Sequence, residues 1–279
     1  MSVAKVRRLV AFKDYTHTLS IPLNASASIS QLHNSFLRFQ NDASLTVPSA
    51  AICNPDFYNI YIARLNLPTS RHVDDFSAIL RKYDMREVLK AAAIPLRLSS
   101  CLESGTTSCA SIIEENNMHA GLLPLRINVL GLNAAKPQDP ASTTRLDAKP
   151  IDPTNRLPLF LLCIRNFLAG TGFMTNPGNE NRMRQYTGDN VAIVNTVLLQ
   201  WYNSKGHFNE ELGMQRKTGR KVFEFDAREL IDKYQTYEWG SDIPLEKMCL
   251  EKVGGFMGKR EDGAAVERGR TVFETFWLP

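Results

Sequence analysis

The sequence lacks the features that usually announce a chemistry. It has no G-x-x-x-x-G-K-[ST] phosphate loop, no G-x-G-x-x-G, no H-E-x-x-H and no G-x-S-x-G. Gly170-Thr-Gly172 follows an apolar segment, but the third glycine of a nucleotide loop is missing. The five histidines (His17, His33, His72, His119 and His207) are scattered without ligand spacing, which argues against zinc. Cys101, Cys109 and His119 form a loose cluster without that spacing either. The five cysteines number an odd count and include no C-x-x-C pair, so Cys53, Cys101, Cys109, Cys163 and Cys249 read as reduced thiols of an intracellular protein. Neither a metal nor a cofactor is expected. Acid–base pairs such as Glu114-Glu115 with His119 read as solvated charge rather than as a catalytic set.

Long apolar runs are also missing. The longest, Leu157 to Leu168, is interrupted by Arg165 and falls short of the ~20 residues needed to span a bilayer. Met1-Ser-Val-Ala-Lys-Val-Arg-Arg is not followed by an apolar segment of signal-peptide type. A soluble, cytoplasmic chain with no membrane partner is expected, with a virion as the further option. Charge of a single sign is lacking too. The 33 Lys and Arg against 29 Asp and Glu leave a net charge of +4, so any contact with nucleic acid must come from a local patch.

What is present begins with Asn181 to Trp239. Val191, Val194, Leu198 and Trp201 recur at spacings of three and four after Thr187-Gly-Asp189, which predicts a buried central helix over 191–202, stopped by Lys205-Gly206. Met214 to Lys221 places Arg216, Lys217, Arg220 and Lys221 around Thr218-Gly219, a turn before a short strand at Val222 to Phe225. Asp226-Ala-Arg-Glu229 has capping-box spacing, and a helix should follow with Leu230, Ile231 and Tyr234 inward. Cations on a turn beside aromatic rings can neutralise phosphates while the rings stack on bases. A solvated surface loop is the competing reading.

In the first half, Val3 to Phe12 and Tyr15 to Leu23 predict a hairpin, and Phe57 to Leu65 a further strand. Ser28-Ile-Ser-Gln31 has capping-box spacing, with Ile29, Leu32, Phe36 and Phe39 on one helical stripe. Helices are predicted from Pro68-Thr-Ser70, with Phe76, Ile79, Leu80 and Tyr83 inward, and from Asp84-Met-Arg-Glu87 onward. Leu122 to Leu130 reads as a strand. Residues 133–158 carry Pro137, Pro140, Pro150, Pro153 and Pro158, a run that argues against helix or a central strand and reads as a linker. Pro158 fits the first turn of a core helix over Leu159 to Leu168. Ile243 to Val253 reads as a short amphipathic helix, and Gly258 to Arg270 as a mobile charged segment.

The expected class is therefore α+β, with a strand-containing N-terminal half and a mainly helical C-terminal half. The expected organisation is an α+β domain over 1–132, a Pro-rich linker over 133–158, a mainly helical domain with the basic loop over 159–257, and a tail over 258–279. The tail ends in Phe273, Phe276, Trp277 and Leu278, rings that must either pack back on the chain or dock on a neighbour. The favoured function is a self-associating nucleic-acid-binding structural protein, such as a viral nucleoprotein or coat protein. In it Arg182, Arg184, Arg216, Lys217, Arg220 and Lys221 contact phosphates of single-stranded RNA. Tyr186, Tyr202 or Phe208 stack on bases, and the tail joins neighbours. The alternatives are an enzyme acting on a phosphorylated substrate near His207, and a protein–protein adaptor.

Overall fold

The computed structural model describes residues 15–93, 123–135, 139–175, 189–196, 224–252 and 272–279. They form two four-stranded antiparallel sheets. Strands β1 (His17–Pro22), β2 (Asn59–Leu65), β7 (Lys247–Lys252) and β8 (Val272–Trp277) make the first, in the order β2-β1-β7-β8. Strands β3 (Arg126–Ala134), β4 (Arg145–Ile151), β5 (Val191–Asn195) and β6 (Glu238–Pro244) make the second, in the order β5-β4-β3-β6. Five helices accompany them among the described residues. These are α1 (Ile29–Ala43), α2 (Ser70–Lys82), α3 (85–93), α4 (Arg156–Gly170) and α5 (Arg228–Tyr234).

The helices of the first half form where their apolar spacing places them. α1 buries Leu32 and Phe39 from its stripe, although the capping box does not close: the Ser28 hydroxyl donates instead to the carbonyls of Leu23 and Ala25, both at 3.1 Å. Gln31 turns away to accept from the Ser241 amide at 3.0 Å. Thr69 caps α2 through the His72 amide, and Asp84 caps α3 through the amides of Arg86 and Glu87. α4 is apolar nearly all round and sits in the core with Leu157, Phe160, Leu161, Ile164 and Leu168 buried. Asp152 holds its first turn, accepting from the Arg156 and Leu157 amides at 2.7 and 2.8 Å.

The expected division into a strand-containing N-terminal half and a mainly helical C-terminal half is overturned, because four of the eight strands lie beyond residue 190. The predicted helix over 191–202 begins instead as β5, paired with β4 from Arg145↔Asn195 to Ala148↔Val191. Val191, Ile193 and Val194 are β-branched residues that fit a pleated, half-buried surface, and residues 197–202 of the predicted helix lie outside the described residues. The predicted helix over Ile243 to Val253 is two strand segments, the end of β6 and then β7. Met248 pairs with Phe276 and Leu250 with Glu274, so a stretch that could satisfy a helix is claimed by ladder partners. Residues 133–158, where the prolines argue against a central strand, carry β4 as an inner strand of its sheet. β5 reaches only to Ala148, so at Pro150 the strand has β3 on one side alone, where a residue without an N–H fits.

Two contacts tie the sheets together. Arg165, on α4 and only 4 % exposed, donates to the carbonyls of Ile62 (3.0 Å) and Tyr61 (2.7 Å) on β2 and to Asp189 (2.5 Å) just before β5. The Cys53 amide donates to the Ile193 carbonyl at 2.8 Å beside an isolated bridge between Ile52 and Val194. On the second sheet, α1 packs against β6 through an aromatic cluster of Phe39, Tyr234, Tyr237 and the fully buried Trp239. The Trp239 indole N–H donates to the Gly131 carbonyl at 2.7 Å. Gly131 has φ +67°, and a Cβ there would meet the Gln235 carbonyl oxygen at 2.7 Å, so glycine is required at this bulge of β3.

Candidate functional site

Residues R-L-D-A-K-P-I of β4 alternate in chemistry. Leu146 and Ala148 point into the core, and Arg145, Asp147 and Lys149 share the opposite face of the second sheet. Register adds the neighbours. Asn195 on β5 lies directly opposite Arg145, and Asn133 on β3 and Ala192 on β5 flank Asp147.

The centre of this face is a charge pair with unequal members. Asp147 is 1 % exposed, whereas the Arg145 side chain retains 23 % exposure. The Arg145 Nε–H donates to one Asp147 carboxylate oxygen at 2.6 Å. The other carboxylate oxygen is buried and has no hydrogen-bond partner among the described residues. Burial pushes the Asp147 carboxyl above its usual value, and the Arg145 charge and hydrogen bond oppose that only in part. Among the described residues, the terminal nitrogens of Arg145 have no partner. A guanidinium held by its Nε–H presents its outer edge, two parallel N–H groups, in the geometry that matches a phosphate or carboxylate.

A second concavity runs along the flank of α1. One hollow of about 340 Å³ is lined by Gln31, Asn34, Ser35 and Arg38 with Tyr237 to Gly240. The adjoining hollow, about 370 Å³, is lined by Arg38, Asn41 and Asp42 with Lys233, Tyr234 and Tyr237. Asp42 is occupied there: Lys233 Nζ lies 2.7 Å and the Tyr234 hydroxyl 2.6 Å from its Oδ2. The Lys233 and Tyr234 hydrogen bonds lower the Asp42 carboxyl, and burial with the Asp42 hydrogen bond raises the Tyr234 phenol.

The residues expected to contact nucleic acid are not among those described. Arg182, Arg184 and Tyr186 lie in 176–188, and Tyr202, Phe208, Arg216, Lys217, Arg220 and Lys221 in 197–223, with His207; all are outside the described residues. The tail residues are described. β8 folds back on its own chain as the edge strand beside β7, with Phe276 buried and Leu278 packed on the core. Phe273 (48 %) and Trp277 (69 %) remain exposed. Lys252 lies over the Phe273 ring and Lys247 over Trp277. Arg145, Asp147, Arg38 and Tyr237 were not among the expected site residues. Strict alternation across 145–149 was the available signal for the first pair, and the polar flank of the α1 stripe for Arg38.

No helix among the described residues is long and apolar enough to cross a membrane. Among those residues no group of three or more His, Cys, Asp or Glu side chains is placed to hold a metal ion. No protein-family model matches the chain, and no curated protein matches it. Among solved structures, TT0787 of Thermus thermophilus is similar over 94 % of this chain and 97 % of that one, at 12 % identity and a TM-score of 0.41. A likeness at that level carries no conclusion about this chain.

Proposed function

We propose that the protein is a nucleic-acid-binding structural protein that self-associates, taking single-stranded RNA by its phosphates. The observation that supports this reading is Arg145, whose guanidinium is fixed by a buried carboxylate and stays partly exposed on a polar sheet face. Lys149 lies four residues along the same strand face, about 13 Å away at strand rise, so a chain of phosphates could meet both cations. The basic residues expected at 182, 184 and 216–221 would extend this contact. Self-association is assigned to the exposed rings of the β8 edge, Phe273 and Trp277, since an edge strand bearing large apolar side chains is open to further pairing.

The test is fluorescence anisotropy with a labelled single-stranded RNA across a salt series. Arg145→Ala should weaken binding about tenfold and reduce the salt slope by about 0.7, the value for one phosphate contact on a single strand. An unchanged slope and affinity would remove Arg145 from the interface, and absence of RNA binding by the wild type would end the reading. Phe273→Ser with Trp277→Ser should shift the mass measured by light scattering toward the monomer.

The same pair supports a second reading, an enzyme acting on a phosphorylated substrate. Asp147 carries a buried oxygen without a partner among the described residues and a raised carboxyl beside the Arg145 guanidinium, which suits a proton donor. Release of phosphate or cleavage of a phosphate ester by the wild type, lost in Asp147→Asn, would favour it over the binding protein.

A further inference from the structure

The Arg145–Asp147 pair sets its own carboxylate in competition with any anionic ligand. While Asp147 is ionised, it is the counter-ion of the Arg145 guanidinium, with the Nε–H donating across 2.6 Å, and the pair as a whole is neutral. A phosphate that arrives at Arg145 then meets a like charge beside the cation it needs.

That carboxylate is poorly held. Buried carboxylates normally have acceptor capacity on both oxygens filled. Asp147 is 1 % exposed, and among the described residues it accepts from Arg145 alone, with the second oxygen buried and unpartnered. The strands on either side offer it no charge. Its register partners are Asn133 on β3 and Ala192 on β5, neither of which titrates. Its own strand carries Arg145 and Lys149 on the same face. Glu238 on β6 is paired with Leu130, which is also the partner of Lys149, so that carboxylate lies at the Lys149 end of the face. Glu224, before α5, accepts from the Ser142 hydroxyl at 2.6 Å. Arg145 is thus the charge that acts on Asp147, and burial outweighs it, so the carboxyl takes up its proton above the usual range.

Protonation changes the sum of charges without removing the contact. A neutral carboxyl can still accept the Nε–H through its carbonyl oxygen, so the guanidinium keeps its place while its charge is no longer balanced. The proton does not weaken the fold through this residue. The folded-state value lies above that of the unfolded chain, so the contribution of Asp147 to stability improves as pH falls.

We infer that Asp147 is a proton-operated gate on the Arg145 phosphate contact: ionised, it neutralises the guanidinium, and protonated, it leaves the guanidinium in place with its charge free for a phosphate. This rests on the reading of Arg145 given above and adds the regulation of that site. Proton and phosphate favour the same state, so binding of RNA must draw a proton onto the protein.

The experiment is anisotropy with labelled oligouridine, whose base does not titrate in acid, on the full chain at constant salt, as pH is lowered from neutrality toward the ordinary carboxylate range. Wild-type binding should tighten about tenfold, the scale of removing one unit charge about 6 Å from a phosphate at a partly exposed site. Asp147→Asn removes the charge and keeps an oxygen for the Nε–H. It should bind about tenfold tighter than the wild type at neutral pH and change less with pH. His17 and the other titratable groups are common to both proteins, so the difference between the profiles reports Asp147. Calorimetry in two buffers of different ionisation heat should show proton uptake on binding by the wild type and its loss in Asp147→Asn. Thermal melts check that each variant folds, and if Asp147→Asn does not, absence of proton uptake by the wild type overturns the gate by itself. Weaker binding by a folded Asp147→Asn would make Asp147 a support of the guanidinium, and the gate would fall. If Arg145→Ala weakens binding while Asp147→Asn follows the wild-type profile, the gate falls and the Arg145 contact stands. If Arg145→Ala binds as the wild type does, the contact falls and takes the gate with it.

Discussion

The two sheets have the same strand number and the same antiparallel pairing, yet they are assembled from opposite parts of the chain. The second sheet draws β3 to β6 from residues 126–244, the middle of the sequence. The first joins β1 and β2 to β7 and β8, so that His17 is paired with Lys252 and Ser20 with Cys249. β6 and β7 make the difference plain. Only Leu245 and Glu246 separate them, but one belongs to each sheet. Short connections usually join neighbours in a sheet, and here one hands the chain from one sheet to the other. The consequences differ as well. The second sheet has an aromatic cluster on its inner side and an oriented guanidinium on its outer face. The first ends in an edge strand with two exposed rings and depends on contacts between the two ends of the sequence.

The largest effect is expected where the second sheet meets α1. Trp239 is fully buried, and its indole N–H satisfies the Gly131 carbonyl. Trp239→Ala should cost about 3–5 kcal/mol, read as a lowered midpoint in urea denaturation. A loss below about 1 kcal/mol would mean that the cluster does not hold α1 to this sheet.

A smaller effect is expected at the tie between the sheets. Arg165→Leu keeps an apolar side chain in the core but leaves the Tyr61 and Ile62 carbonyls and Asp189 without this donor. The cost should be about 1–3 kcal/mol in all, and hydrogen exchange should rise at β2 and β5 before it rises at β3. Uniform exchange across both sheets would show that Arg165 does not couple them.

The smallest effect sharpens the contrast by pH. His17 is buried at the start of β1, with its Nδ1 2.9 Å from the Thr16 hydroxyl, its ring 5.2 Å from Phe273, and Lys252 nearby. Burial first, then the Lys252 charge, lowers its pKa below the usual value of about 6.5. The unfolded chain therefore takes up the proton before the folded chain does. Stability should fall as pH drops through about 6.5 and level off below the lowered folded value. In His17→Gln that slope should flatten. A variant with an undiminished slope would place the pH dependence elsewhere.

Part of this architecture was legible beforehand. The stripe Leu32, Phe36 and Phe39, the Asp84 cap and the apolar run of α4 each predicted a helix, because a helix is satisfied within its own segment and its period is carried by neighbours three and four residues apart. Arg145 and Asp147 escaped notice among prolines, and their alternation with Leu146 and Ala148 acquires meaning only once β3 and β5 flank it. Arg38 belonged to a helix that was recognised, but that Asp42 on the same helix is taken by Lys233 depends on another element. The chain by itself thus determined α1, α2, α3, α4 and most of their buried faces. Tertiary structure alone decided that Val191 to Asn195 is a strand, that β6 and β7 part company, and that the last strand closes the sheet begun by the first described one. The reason is physical. A strand's hydrogen bonds lie outside its own segment, so its partners, and with them the faces that bring functional side chains together, are set by contacts that local spacing does not encode.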